Sequence, residues 1–147
     1  MVRTVEAAEQ NIDYWKRFRD VRYDRKANTT AAISHTSCQT AMDLEAKAII
    51  IPTQSGYTAR MVSRFHPGCV IAALPTSERV RRQLNICWGV TSYLTGHVDS
   101  TDRLFSMCVD LIRKEGLVTY GDTVVITAGV PIGKTGSTNL IKVDTIK

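Results

Sequence analysis

The chain has 147 residues, 44% of them hydrophobic and 22% charged, with a formal net charge of +5. That length suits one domain, 1–147, with a real core, and the composition is ordinary for a globular protein. No unbroken apolar run, Ala48 to Pro52 among them, is long enough for a transmembrane helix.

Taken in chain order, the elements begin with helices. Val5, Ala8, Ile12 and Trp15 recur at helical spacing and predict one amphipathic helix over about 3–24. Asn28-Thr29 supplies an N-cap for a second helix reaching about Glu45. Its small residues, among them Ala31, Ser34, Ser37 and Ala41, suit close packing on a sheet. Residues 1–46 thus read as leading helices, and 47–147 as the sheet-bearing part. Strands are expected at 47–52, 70–74 and 90–94, with short helices at 59–65 and 77–84. A stronger helix runs from Thr101 to Glu115, capped by Ser100 or Thr101 and ended by Gly116. A buried strand at 123–127 and a half-exposed one at 139–146 complete the series.

Strands alternating with helices imply a mostly parallel sheet covered on both faces. The connection Ala128–Thr138 leaves no room for a crossover helix, so the last strand should run antiparallel. The expected fold is a three-layer α/β/α sandwich on a five-stranded sheet.

Two loops carry possible chemistry. Thr53-Gln54-Ser55-Gly56-Tyr57-Thr58 joins a buried strand to a helix N-terminus. Outward-pointing N–H groups, hydroxyls and the helix dipole make such a turn a candidate phosphate site. The second loop, Ala128-Gly129-Val130-Pro131-Ile132-Gly133-Lys134-Thr135, matches a permissive P-loop pattern. A working P-loop must open a helix, whereas Gly136-Ser137-Thr138 and a β-patterned tail follow here. It is therefore read as an anion cradle, not a nucleotide-hydrolysing site.

Other chemistry lacks support. His35, His66 and His97 are scattered and read as surface or structural residues; no catalytic residues are assigned. Cys38, Cys69, Cys87 and Cys108 form no metal-ligand or disulfide pattern, so reduced, mostly buried thiols in a cytoplasmic protein are expected. No cofactor and no metal is expected. The N-terminus carries an early acid and no apolar h-region, unlike a signal peptide. Basic residues cluster at Lys16-Arg17-Arg19-Arg22-Arg25-Lys26 and at Arg79-Arg81-Arg82. Asp13, Asp20 and Asp24 dilute the first cluster, and no known nucleic-acid motif accompanies either. Neither nucleic acid nor membrane is expected as a partner.

The residues from Ile49 to Arg60, then Ser63-Arg64-Phe65-His66-Pro67, Trp88-Gly89-Val90 and Gly121 to Asn139, resemble the C-terminal domain of pyruvate kinase, in its bacterial form. The resemblance covers essentially the whole chain, including Ala41 and Leu44 ahead of the first strand. It implies a regulatory domain that does not transfer phosphate alone, because that family's catalytic site lies in a preceding barrel with a lid domain. It also implies an effector pocket, falling here on Thr53, Gln54, Ser55, Gly56, Tyr57 and Thr58 and on Gly133, Lys134, Thr135, Gly136 and Ser137. If the 47–52 and 123–127 strands are neighbours, both loops leave the carboxyl edge together, where open α/β sheets bind ligands. Losing the Ser55 and Thr58 hydroxyls together should then abolish ligand-dependent stabilisation at little cost to the fold.

Animal-type enzymes carry basic residues where Gln54 and Tyr57 stand. The arginine that contacts a second phosphate in bisphosphate-activated enzymes has only Arg103 nearby. Mono- and bisphosphate effectors both stay open, as sugar phosphate or nucleotide monophosphate. Expected partners are that effector, a pyruvate kinase catalytic region, and a second copy of the chain, in a homodimer or higher assembly, packed on the final strand's edge or the neighbouring helix surface. Two alternatives remain: a free-standing phosphometabolite sensor acting on a partner protein, or a module serving assembly.

Overall fold

Runs rich in isoleucine and valine build the centre of the sheet. A computed structural model describes residues 1–22 and 28–147. Strands β1 (Ala48–Thr53), β2 (Val70–Pro75), β3 (Val90–Ser92), β4 (Thr123–Gly129) and β5 (Thr138–Thr145) form one sheet in the order β3-β2-β1-β4-β5. β1 pairs in parallel with β2 on one side and with β4 on the other, and β2 pairs in parallel with β3. β4 and β5 are antiparallel, as the short connection requires, with a register shift at Ala128/Gly129.

The helices are α1 (Val2–Glu9), α2 (Tyr14–Asp20), α3 (Thr29–Asp43), α4 (Tyr57–Ser63), α5 (Glu78–Leu84) and α6 (Thr101–Lys114). The alternation of side chains along a strand sorts the core into two layers. Ile49 and Ile51 of β1 face one side, with Ile71, Ala73 and Val125, under Phe18 of α2, Cys38 and Ala41 of α3, Ala59 and Val62 of α4, and Leu84 of α5. Ala48 and Ile50 face the other, with Leu74, Val124 and Ile126, under Leu104, Phe105, Cys108 and Ile112 of α6. Both faces are thus covered, one by several helices and the other by α6.

The small residues of α3 let it lie close on the sheet. Ser34 and Ser37 are fully buried and return their hydroxyls to the carbonyls of Thr30 and Ile33, each at 2.7 Å. Thr127 Oγ1 of β4 donates to Ser37 Oγ at 2.7 Å, a polar link inside an otherwise apolar layer. Asn28 caps α3, its side chain accepting from the Ala31 N–H at 3.0 Å.

Two expectations are corrected. The single helix at 3–24 is two helices. Asn11 Nδ2 donates back to the Ala7 carbonyl at 3.0 Å, and Asp13 takes an extended conformation and accepts from the Lys16 N–H at 2.9 Å. A fresh N-cap in mid-pattern restarts the helix, so the 3–4 spacing runs across a break. The expected apolar stripe is also largely unburied: no residue of α1 is buried, and Val5 and Trp15 are exposed. The third strand ends at Ser92 rather than 94, because it pairs over Val90–Ser92 only. The end of the expected 3–24 helix lies outside the described residues, as do Asp24, Arg25 and Lys26 of the basic cluster.

Among the described residues no helix is long and apolar enough to cross a membrane, and no group of His, Cys, Asp or Glu could hold a metal ion. All four cysteines are free; Cys38 and Cys108 are buried, and Cys69 and Cys87 partly so. Burial pushes the Cys69 thiol up to about 11 and the Cys108 thiol up to about 12, which keeps both protonated and unreactive at neutral pH.

Candidate functional site

The sheet reverses direction between β1 and β4. From β1 the chain moves through α4 to β2 and through α5 to β3, then crosses back by α6 to the far side of β1. The carboxyl ends of β1 and β4 therefore diverge into a crevice, the position where open α/β sheets take ligands. A cleft of about 80 Å³ lies there.

Its first wall is the turn after β1. Gly56 adopts φ +77° and ends the turn as the residue before α4. It is buried, and a side chain there would press on Arg60, Val80 and Leu84, each 3.1 Å from the added carbon. Only glycine meets both demands. The turn closes on its own hydroxyls: the Gly56 N–H donates to Thr53 Oγ1 at 2.9 Å, and the Tyr57 N–H to Ser55 Oγ at 3.3 Å. Each hydroxyl accepts from the backbone and keeps its own proton to donate elsewhere.

The second wall is the loop between β4 and β5. Asn139 holds its base, accepting from the Val130 N–H at 3.0 Å and donating to the Val130 carbonyl at 2.7 Å. Ser137 Oγ donates to the Lys134 carbonyl at 2.7 Å, and Thr30 Oγ1 of α3 to the Gly136 carbonyl at 3.3 Å. The two walls are joined directly where Thr58 Oγ1 and Thr138 Oγ1 share a buried hydrogen bond of 2.5 Å.

Of the residues expected at the site, Thr53, Gln54, Ser55 and Thr58 line the cleft together with Gly133, Lys134, Thr135, Gly136 and Ser137. Gly56 and Tyr57 are outside its lining. Gly56 shapes the turn, and Tyr57 turns its hydroxyl toward Asn28, whose Nδ2 donates to it at 3.4 Å. Thr58 and its partner Thr138 are buried, so the expectation that losing the Thr58 hydroxyl costs the fold little is corrected. Removing it leaves Thr138 with an unpaired buried hydroxyl, a penalty of about 1–3 kcal/mol.

A third wall was not legible in the sequence. Thr95, Gly96, His97 and Val98, between β3 and α6, line the cleft as well. No motif marks them; their position depends on where β3 pairs and where α6 packs. Arg103 does not line the cleft, and lies instead on the α6 surface with Ser106, Asp110 and Lys114. The remaining histidines have structural settings: His35 stacks on Phe18 at 4.7 Å, and His66 on Trp88 at 4.2 Å.

The floor is apolar, formed in part by Leu74, Leu104 and Ile132, and the rim carries hydroxyls and Lys134. Among the described residues lining the cleft there is no carboxylate.

Residues 31–144 match the family described as "Pyruvate kinase, alpha/beta domain". The chain belongs to that family. Pyruvate kinase of Clostridium acetobutylicum is 41% identical over 147 residues, all of this chain and 31% of the relative. That of Geobacillus stearothermophilus is 44% identical over 123 residues, 84% of this chain and 21% of the relative. Among solved structures, Cryptosporidium parvum pyruvate kinase in complex with ADP superposes with a TM-score of 0.86 at 30% identity, over 95% of this chain and 28% of that one. The chain therefore spans less than a third of the length of these pyruvate kinases, and corresponds to their C-terminal α/β domain.

Proposed function

We propose that this domain is the regulatory part of a pyruvate kinase, binding the phosphate of a phosphorylated metabolite in the cleft between the 53–58 turn and the 133–137 loop. The observation that carries this reading is the character of that one cleft. Hydroxyls from two loops and the Lys134 ammonium meet at the reversal point of the sheet, and no carboxylate opposes an anion. A sugar phosphate or nucleotide monophosphate fits that chemistry. On this reading the domain regulates rather than catalyses. It also contributes to subunit assembly, through the free edge of β5.

The test is thermal. A ligand bound only to the native state stabilises it by about 2.7 kcal/mol at a hundred times its dissociation constant. Sugar monophosphates or nucleotide monophosphates should raise the melting temperature. Ser55→Ala combined with Lys134→Ala should abolish the rise while leaving the unliganded melting temperature nearly unchanged, because neither side chain is buried. Melting that ignores sugar phosphates, nucleotide monophosphates and inorganic phosphate alike rejects the reading.

A further inference from the structure

We infer that His97 is a specificity-determining residue of this cleft, whose imidazolium adds a pH-dependent positive charge to that of Lys134 and makes anion affinity rise as pH falls. The inference rests on the anion-binding reading above and adds a regulation to it.

The wall that carries His97 is irregular but tethered. The Tyr93 N–H donates to the Ala73 carbonyl and the Thr95 N–H to the Pro75 carbonyl, each at 2.9 Å. On the other side of His97, Val98 packs against the core layer under α6. Gly96 and His97 thus bridge two fixed points, and both face the cleft. The imidazole is exposed and belongs to neither core layer.

Charge makes the position matter. Among the described lining residues, His97 and Lys134 are the ionisable cations and no acid stands with them. Nearby, Asp99 follows on the same segment, and Asp102 and Arg103 begin α6, all three outside the lining. The wall of the 53–58 turn presents hydroxyls and the Gln54 amide, with no charge. A proton gained by His97 therefore adds a second positive charge to a lining without carboxylates. The apolar floor focuses that field. Histidine is the side chain whose charge ordinarily changes between pH 5 and 8. By linkage, an anion that prefers the imidazolium binds more tightly as pH falls through that range, and in turn favours the protonated ring.

Sulfate is the suitable probe, because its own charge is constant across this range whereas that of a phosphate monoester is not. Binding to the isotope-labelled chain is followed by the amide shifts of Gly133 and Gly136 at low ionic strength, from pH 5.5 to 8. Wild-type affinity should fall about three- to fivefold over that interval, the size expected of a solvent-accessible charge pair. His97→Gln should give a flat profile at the wild-type high-pH level, and His97→Lys a flat profile at the low-pH level. A flat wild-type profile, or a slope that survives in His97→Gln, overturns the inference while leaving the anion site standing. If neither sulfate nor a sugar monophosphate shifts these amides at any pH, the anion site fails, and the role of His97 with it.

Discussion

A methyl group at Gly129 would sit 2.7 Å from Ser137 Oγ and 2.9 Å from the Ser137 carbonyl oxygen. No staggered adjustment of one side chain removes both contacts, since one partner is backbone. Gly129 is thus where the end of β4 lets the 130–137 loop fold back over the sheet. Gly129→Ala should cost about 1–3 kcal/mol, the usual range for overpacking, measured by chemical denaturation. It should also weaken phosphate-dependent stabilisation, since the loop must move outward to admit the methyl. A variant as stable as the wild type would mean that the loop yields freely. The sequence already singled out the loop by its glycines and Lys134. It did not distinguish glycines needed for close approach, such as Gly129, from those needed for a left-handed turn, such as Gly133 at φ +98°. That difference depends on which backbone lies across from each, and only the folded chain decides it.

At the scale of elements, α5 shows how little of a helix its apolar residues explain. It buries Leu84 and carries an acid-base cluster on its first turns. Glu78 accepts from Arg81 at 2.6 and 2.8 Å and from Arg82 at 3.2 Å. The hydrogen bonds from Arg81, then those from Arg82 and both positive charges, bring the Glu78 carboxyl down to about 2. A carboxyl depressed on folding stabilises the native state above its unfolded pKa near 4.5, and that contribution disappears as pH falls toward 2. Glu78→Gln should therefore lower stability slightly at pH 7 and much less at pH 2, with the gap narrowing from pH 4.5 downward. Urea melts at pH 7, 4 and 2 read this directly, and added salt should shrink the pH 7 gap because the cluster is solvent-exposed. A difference as large at pH 2 as at pH 7 would place the role of Glu78 elsewhere. The same scale shows why the first helix was misjudged. Hydrophobic periodicity ran through Ile12 without interruption, whereas Asp13 carried a local N-cap signal that overrides it. For β1, β2, β4 and β5, periodicity and turn chemistry agreed, and their positions followed within a residue or two.

For the whole molecule, the antiparallel final strand has a consequence for assembly. Among the described residues β5 pairs with β4 alone, so its outer edge has no strand partner along Thr138–Thr145. Unpaired N–H and C=O groups on such an edge are normally covered, blunted or paired with another chain. The two faces of β5 are blunted unequally. Lys142 and Asp144 form an ion pair of 3.1 Å on the side of α6, where the Lys142 ammonium also lies 5.5 Å from the Phe105 ring centroid. On the opposite face Ile141 is partly buried and Val143 stays 44% exposed. A second copy related by a two-fold axis would bring β5 antiparallel to itself, pair the free backbone groups and cover both Val143 side chains. The isolated contact involves one short strand, so weak association is expected. Sedimentation at about 100 μM, near the weak end of specific affinity, should show a dimer. Val143→Lys should return it to monomer by placing like charges opposite each other, without unfolding a residue that is already half in solvent. A wild-type monomer at that concentration, or a Val143→Lys dimer, would mean that the β5 edge is left open or that assembly uses another surface.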